Sequence, residues 1–335
     1  KQNLVYLHID MDAFKLMKEL RVNYDQEVHY LPKVTGLVFI ESTVRISAKC
    51  RDAKVEDLWS LTSFFGYSTQ TFVLAVNLLD RFLAMMRIQP KHLSCVSLSC
   101  LHMAAKVTEE ECNLTPTDEL IRIGQCRFTV SDLARMEKIV TEKLNFKSKA
   151  VTALTFLHLY HEIALSKETL SLEKLEAQLK ACLCRIAFSK AKPSVLALAL
   201  LRQEIEALQW EDMLEVAYYI QAHLKIANVE LMLWSERVAQ CLSDYASPEC
   251  SKPNHRRLQW IVSRRTAQNL HSYRSVPELP TIPEGCWDES ESEDSCEDMM
   301  SSGEESLSSS LGSDAEGSFF PPHLRRQKQR QYLFA

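Results

Sequence analysis

The sequence contains very little glycine. Only 7 of its 335 residues are glycine, whereas globular proteins usually have roughly 7%. Parallel α/β folds and phosphate-binding loops need glycine at tight turns and where backbones approach closely. No glycine pair has the spacing of a dinucleotide-binding loop, and no P-loop is present. The composition therefore disfavours nucleotide-binding α/β enzymes and favours an all-α protein.

Paired cysteines and long apolar runs are also missing. The 11 cysteines are scattered, and no two of them form a CxxC pair. The longest uninterrupted apolar run is Val195–Leu201, whereas a membrane-spanning helix needs about 20 such residues. His158 and His161 lie one helical turn apart, without an acidic or thiol ligand at metal-site spacing. We therefore expect a soluble chain from a reducing compartment, with no metal, cofactor or membrane partner.

Acidic charge is concentrated near the end of the sequence. Residues 284–335 carry 12 acidic and 4 basic side chains. Within them, residues 288–318 are mostly Ser, Glu and Asp with almost nothing to bury, which predicts disorder. The rest of the chain has a small positive net charge, so we expect no nucleic-acid partner for the folded part.

From about residue 54 to residue 245, apolar residues recur at helical spacing. The pattern predicts two successive groups of five helices. Ser68 and Thr129 are expected N-caps, and Gly66 is an expected left-handed C-cap. Pro193 opens a helix so apolar that it should be buried on all sides. The first 40 residues are poorly patterned, and we expect them to form a loosely docked extension.

One charged pair interrupts an apolar helix. Asp80 and Arg81 lie inside the run Asn77–Leu83. Because a buried charge without a partner costs several kcal/mol, Asp80 needs a cation nearby. Arg51, at the start of the preceding helix, is the natural choice. We predict a structural ion pair between Arg51 and Asp80.

Several runs resemble the cyclin family. LAVNLLDRFLAMM, LSCLHMAAKVTEE and DLARMEKIVTEKLNF match the first cyclin box in order and spacing, and SKAKPSVLALALL resembles the third helix of the second cyclin fold. QPKHLSC and WIVSRRTAQNL are most similar to the G-type cyclins, and the acidic run DESESEDSCEDM to their longer vertebrate members. The resemblance implies an all-α protein with two tandem five-helix cyclin folds and a disordered acidic C-terminal tail.

The resemblance and the composition together divide the chain into five parts. These are an N-terminal extension (1–45), a first cyclin box (46–149), a second cyclin-like fold (150–247), a basic segment with a proline-spaced motif (248–284), and a disordered, serine-rich acidic tail with a basic tip (285–335). Cyclins hold no catalytic residue, so the resemblance implies that the chain is not an enzyme.

The resemblance also implies contacts with a kinase. In kinase-activating cyclins, a lysine on the third box helix and a glutamate on the fifth hydrogen-bond to backbone near the kinase's regulatory helix. These positions are Lys106 and Glu137 here. Two long polar side chains beside an apolar surface can fix the register of a partner helix. A cyclin-dependent or related protein kinase is therefore an expected partner.

Other positions depart from the kinase-activating pattern. The apolar docking patch for Arg-x-Leu substrates falls on Cys50, Ala53, Lys54 and Asp57, and Val107 occupies a position that is often aromatic. A lysine and an aspartate in place of large apolar anchors are expected to abolish the pocket. We therefore expect substrate recruitment to differ from that of ordinary cell-cycle cyclins.

A short motif, LPTIPE at residues 279–284, resembles the peptide recognised by B-prime regulatory subunits of protein phosphatase 2A. The resemblance implies that Leu279 and Ile282 fill two apolar pockets and that Glu284 meets a basic one. The intervening prolines lower the entropy cost of ordering an extended peptide. The acidic residues that follow add attraction toward a basic groove. A B-prime subunit is therefore an expected partner.

The tail carries candidate regulatory sites. Ser290, Ser295 and Ser302 each stand three positions before an acidic residue, the pattern that acidophilic kinases prefer, and phosphorylation would add negative charge. The basic run 325–330 is a candidate nuclear signal, although short basic runs are common.

These features favour a G-type cyclin that acts as a non-catalytic adaptor in cell-cycle control. The family implies a growth-inhibitory, cell-cycle-arrest role shared between nucleus and cytoplasm. Two alternatives stay open: a regulatory subunit that activates a cyclin-dependent kinase, and a cyclin-fold transcription regulator. The second class commonly has an N-terminal zinc ribbon, which the sequence lacks.

One early motif is a coincidence. HIDMDAF, at residues 8–14, looks like the first catalytic-carboxylate motif of a translesion polymerase. No β-rich palm or later acidic pair follows it. Met11 is a candidate for the natural first residue, which would place residues 1–10 upstream of the natural chain.

Overall fold

The computed structural model describes residues 2–42, 46–164, 170–247 and 250. Within these ranges the regular structure is helical, and no strand occurs there. The α-helices are α1 (Gln2–Glu27), α2 (Val34–Ser42), α3 (Ala48–Phe65), α4 (Thr69–Leu83), α5 (Pro90–Thr108), α6 (Thr117–Ile123), α7 (Val130–Lys143), α8 (Ala153–Ile163), α9 (Leu172–Leu183), α10 (Pro193–Ala207), α11 (Glu211–Leu224) and α12 (Asn228–Ala246). Short 3-10 segments lie at Val28–Tyr30, Glu111–Asn113 and Ile186–Lys190.

The helices form the two predicted groups of five. Helices α3–α7 lie within the predicted first box and α8–α12 within the predicted second fold, so the all-α class with two five-helix folds is confirmed. The boundaries between the five predicted parts stay a prediction. The predicted disorder of the acidic tail falls outside the described residues.

Each group is built around one helix that is buried on most of its surface. In α4, Phe72, Val76 and Leu79 are almost completely buried, and α4 packs along α5. In α10, all residues of Val195–Leu201 are buried, as predicted, and the helix lies between α8 and α12. In the described ranges, no helix is long and apolar enough to cross a bilayer.

Local capping chemistry sets the ends of these helices. The Ser68 hydroxyl accepts a hydrogen bond from the amide of Thr71 at the start of α4. Thr129 and Asp132 form a reciprocal capping box at the start of α7. Gly66 ends α3 with φ 71°, a left-handed conformation that glycine adopts without steric cost. The predicted caps are confirmed.

The N-terminal region is not the loosely docked extension that its weak pattern suggested. Helix α1 packs against α8 and α10 of the second group, and Leu20 is fully buried. Glu27 at its end is 2% exposed. Its carboxylate accepts hydrogen bonds from both the amide and the hydroxyl of Ser194, each at 2.8 Å. Glu27 therefore caps the start of α10 from a distant part of the chain.

Helix α2 reaches α4 through a close backbone approach. A Cβ atom built on Gly36 would lie only 1.9 Å from the carbonyl oxygen of Ala84. A side chain at this position would therefore push α2 away, so glycine is required at this contact.

The predicted ion pair lies at the junction between the two groups. The Arg51 guanidinium is fully buried and contacts the Asp80 carboxylate through two hydrogen bonds, Nε to Oδ1 at 2.8 Å and Nη2 to Oδ2 at 2.6 Å. Arg51 Nη1 donates to the carbonyl of Leu183 at 2.8 Å. The Ser189 hydroxyl donates to Asp80 Oδ2 at 2.5 Å. Burial is the largest influence and would lower the pKa of Arg51, but the charge and hydrogen bonds of Asp80 and the charge of Asp52 together outweigh it, so the pKa is raised.

Two polar contacts extend the junction along α3. The carboxylate of Asp52 accepts a hydrogen bond from the amide of Ile186 at 2.8 Å. One turn further on, Glu56 accepts from Arg185 at 2.6 Å. One face of α3 therefore binds the segment that joins α9 to α10, which fixes the orientation of the two groups.

We expect Asp80→Asn to lower the free energy of unfolding by about 3 kcal/mol, because it removes the buried carboxylate that binds Arg51 through two hydrogen bonds and leaves Asp52 as its remaining anionic partner. Denaturant unfolding followed by circular dichroism measures the loss. Asp57→Asn is the matched control, since Asp57 pairs with Lys54 on the surface of α3 and its side chain is 61% exposed. That change should cost at most about 1 kcal/mol. Equal losses for the two variants would contradict the prediction.

Candidate partner-binding surface on α5 and α7

The two predicted kinase-contact residues meet across neighbouring helices. Lys106 stands in the last turn of α5, and Glu137 lies in the middle of α7. The two helices pack together, and Lys106 Nζ lies 2.8 Å from Glu137 Oε2. The lysine side chain is 43% exposed and the glutamate side chain 15% exposed. The pair is therefore formed before any partner binds.

A third residue, His102, completes the arrangement. It stands one turn before Lys106 on α5, and its Nδ1 lies 2.6 Å from Glu137 Oε1. Both oxygens of Glu137 are therefore engaged by α5. The sequence analysis missed His102, although its spacing of four residues from Lys106 places the two side chains on one helix face.

His102 and Lys106 favour the ionised form of the Glu137 carboxyl group. Burial would raise the pKa of Glu137, but the hydrogen bonds from His102 and Lys106 and their charges outweigh it. The pKa of Glu137 is therefore held below its ordinary value. A half-buried carboxylate that stays ionised and fixed in position is suited to accept a hydrogen bond from a partner's backbone amide.

The surroundings of the pair provide apolar surface as well. Val130, two turns before Glu137 on α7, is 46% exposed. Val107 is partly buried and packs against the core, so its side chain adds little to the outer surface. An ammonium group has three donors, so Lys106 can bind Glu137 and a second acceptor together. The surface can therefore fix the register of a helix or loop that lies across α5 and α7.

The positions of the substrate-docking patch form a polar surface instead. Lys54 Nζ and Asp57 Oδ2 are 2.9 Å apart on α3, and Ala53 is exposed. The Cys50 sulfur accepts a hydrogen bond from the Ser47 hydroxyl at the helix start. No large apolar side chain is contributed by these positions.

The remaining predicted residues contribute nothing to this surface. His158 pairs with Glu176 at 2.9 Å, and His161 contacts the carbonyl of Leu170 at 2.8 Å. In the part of the chain that the structure describes, no three metal-ligating side chains come together. The phosphatase motif (Leu279, Ile282, Glu284) and the candidate phosphorylation sites (Ser290, Ser295, Ser302) lie outside the described residues.

Comparison with known proteins gives consistent results. Residues 12–149 match the family model of the cyclin N-terminal domain. Cyclin-G2 of Homo sapiens is 57% identical over 320 residues, which cover 92% of this chain and 93% of that protein. Cyclin-G1 of Mus musculus is 54% identical over 284 residues, 82% of this chain and 97% of that protein. The crystal structure of a viral cyclin from herpesvirus saimiri superposes with a TM-score of 0.54 at 20% identity, covering 69% of this chain and 99% of that one, a likeness that concerns the fold.

We expect the Glu137 carboxyl to titrate below its ordinary value of 4.5, as measured by carbon-13 NMR of the side chain. Because the folded-state pKa is lowered, the associated stability is complete above about 4.5 and is lost as pH falls through the lower value. Lys106→Ala and His102→Ala should each raise the midpoint, whereas Lys192→Ala, in the second fold, should leave it unchanged. A wild-type midpoint at or above 4.5 would contradict the prediction.

Proposed function

Because the chain belongs to the G-type cyclins, we propose that it is a non-catalytic adaptor that brings a protein kinase and a protein phosphatase into one complex. The chain is a cyclin-family regulator. In the proposal, the α5/α7 surface binds the kinase, and the motif at residues 279–284 recruits a B-prime subunit of protein phosphatase 2A. The cellular outcome would be restraint of growth, in nucleus and cytoplasm.

The proposed binding of a kinase depends on the contact of Lys106 with Glu137. The pair joins two packed helices, and His102 holds the glutamate from the other side. Since the carboxylate is already oriented and ionised, a partner backbone would gain its hydrogen bonds without paying to order these side chains. This preformed polar pair is the observation that carries the proposal.

An adaptor role is favoured over ordinary kinase activation by the polar surface on α3. Lys54 and Asp57 pair with each other where activating cyclins carry an apolar docking patch. Removing that route leaves the complex without one common means of recruiting substrates. The proposal assigns recruitment to the segment after α12, which carries the phosphatase motif.

The proposed recruitment of the phosphatase depends on the sequence of residues 279–284. Leu279 and Ile282 are spaced to fill two apolar pockets, and Glu284 is followed by a dense acidic run. Burying one such apolar side chain contributes about 1.5–3 kcal/mol. The acidic run would speed association with a basic groove and make it sensitive to salt.

We expect the full chain to bind a purified B-prime subunit in a calorimetric titration. Leu279→Ala/Ile282→Ala should weaken binding by about tenfold or more, because two anchors are lost. The matched control is Leu307→Ala/Leu311→Ala, which removes two leucines from the acidic tail that follows the motif. Binding that survives the first change, or is lost equally in the control, would reject the motif. Phosphorylation with an acidophilic kinase tests whether Ser290, Ser295 and Ser302 strengthen binding.

We expect Lys106→Ala/Glu137→Ala to weaken binding to a cyclin-dependent kinase by about tenfold or more, because hydrogen bonds to charged groups contribute about 1.5–3 kcal/mol each. Titration of the full chain against a panel of such kinases measures the loss. Lys192→Ala/Glu230→Ala is the control, since that pair also joins two helices and its lysine is likewise 43% exposed. No binding to any kinase, or equal loss in the control, would reject the proposal that the α5/α7 surface binds a kinase.

Measuring the turnover of the kinase in the same complexes distinguishes an adaptor from a subunit that activates the kinase. Binding without a rise in turnover agrees with an adaptor. A rise in turnover that the Lys106→Ala/Glu137→Ala change removes would favour the alternative, a regulatory subunit that activates the kinase.

A further inference from the structure

An open cavity of about 450 Å³ lies in the second fold, between α12 and the segment that follows α9. Phe188 and Ala181 provide apolar walls, and Arg185 and Arg237 place two cations at its surface. Cys241 of α12 also lines the cavity. A small polar molecule in solvent can therefore reach this thiol.

A second cysteine lies directly behind Cys241. Cys182 belongs to α9, which packs against α12, and its side chain is fully buried. The Cys182 and Cys241 thiols interact with each other through their side chains. One sulfur thus faces the cavity and the other faces the core. They are 59 positions apart in the sequence, so the fold alone brings them together.

The environment favours the thiolate form at Cys241 and disfavours it at Cys182. The hydrogen bond from Cys182 lowers the pKa of the Cys241 thiol, and burial opposes this less strongly; the charge of Arg185 lowers it further, while Asp244 and Asp52 raise it. The pKa of Cys182 is raised, because its proton is held in that hydrogen bond and the group is buried. A thiolate is the form of cysteine that attacks oxidants.

We propose that Cys241 is a site of oxidation by hydrogen peroxide and that it forms a reversible disulfide with Cys182. The Cys241 thiolate attacks one oxygen of the peroxide and the O–O bond breaks. Hydroxide is the leaving group, and the Cys241 sulfur becomes a sulfenic acid. The Cys182 sulfur then attacks the Cys241 sulfur, the S–O bond breaks, and the leaving hydroxide takes the Cys182 proton as water. The two sulfurs lose two electrons in total, and the peroxide gains them.

The neighbouring thiol shows why the reaction would be specific. Cys184 is also buried beside this region, and burial raises its pKa to about 12. It does not line the cavity. Cys184 lacks both access and thiolate character, so it should remain reduced when Cys241 reacts.

The disulfide would lie next to the start of the C-terminal segment, which the proposed function assigns to phosphatase recruitment. It would join α9 to α12, the last helix before residues 248–335. Cys182 also precedes Leu183, whose carbonyl accepts the hydrogen bond from Arg51 at the junction between the folds. Oxidation would therefore fix α12 to the junction and restrict the unfolded chain, which stabilises the second fold.

Peptide mapping of the full chain tests the proposal. Trypsin leaves Cys182 and Cys184 together in residues 181–185, and Cys241 and Cys250 together in residues 238–256. In a Cys184→Ser/Cys250→Ser chain, a link between these two peptides can therefore join only Cys182 and Cys241. After treatment with peroxide and alkylation under non-reducing conditions, we expect this linked peptide as the main intramolecular disulfide and its loss with dithiothreitol. Thermal unfolding should occur at a higher temperature in the oxidised chain than in the reduced one.

Two further results complete the test. Cys182→Ser should leave a sulfenic acid on Cys241 that a dimedone probe labels, whereas Cys241→Ser should leave Cys182 unlabelled. The same linked peptides of the wild-type chain are sequenced by fragmentation. This measurement needs no substitution, so the misfolding of a variant does not affect it. The proposal is overturned if Cys182 and Cys241 stay reduced in the wild-type chain while the exposed Cys112 oxidises, or if Cys241 pairs equally with other cysteines.

Discussion

The arrangement of the whole molecule depends on the buried guanidinium of Arg51. A group that is always charged and fully removed from water must find several partners. It finds the carboxylate of Asp80 within its own fold and the carbonyl of Leu183 in the other. A buried ion pair adds little net stability compared with an apolar contact of the same size, but it tolerates only one geometry. Rotation of the two folds against each other would therefore break the bond from Arg51 to the Leu183 carbonyl and leave a buried donor of a charged group unsatisfied.

The features that the sequence predicted well are those with local causes. Helical periodicity, the serine and threonine caps and the left-handed turn at Gly66 are decided by residues within one or two turns of each other. The Arg51–Asp80 contact is the exception in distance, but a charge inside an apolar helix demands a partner, and this made it predictable. Helix α1 gave no such signal. Its docking depends on Glu27 reaching Ser194, 167 residues away, and no short pattern encodes that contact.

The candidate site was predictable in part for a similar reason. Lys106 and Glu137 were identified through the family resemblance, which specifies positions and not their surroundings. His102 was missed because its role depends on how α5 crosses α7. The oxygen that His102 binds is the one that Lys106 leaves available. Likewise Cys182 and Cys241 have no sequence pattern in common, and only the packing of α9 on α12 brings their sulfurs together.

The surface of the first fold suggests how binding and recruitment are separated in this chain. The side chains proposed to fix a partner helix, Lys106 and Glu137, are preorganised on α5 and α7, whereas the α3 positions that match the docking patch carry the pair of Lys54 with Asp57. A surface that holds one partner without presenting substrates to it is of use only if another part of the chain supplies the target. In the proposal that part follows α12. Within the folded region, α3, α9 and the segment that joins α9 to α10 are held together by the contacts of Arg51, Asp52 and Glu56. These contacts fix the orientation of the α5/α7 surface relative to α9 and to α12, which packs against α9.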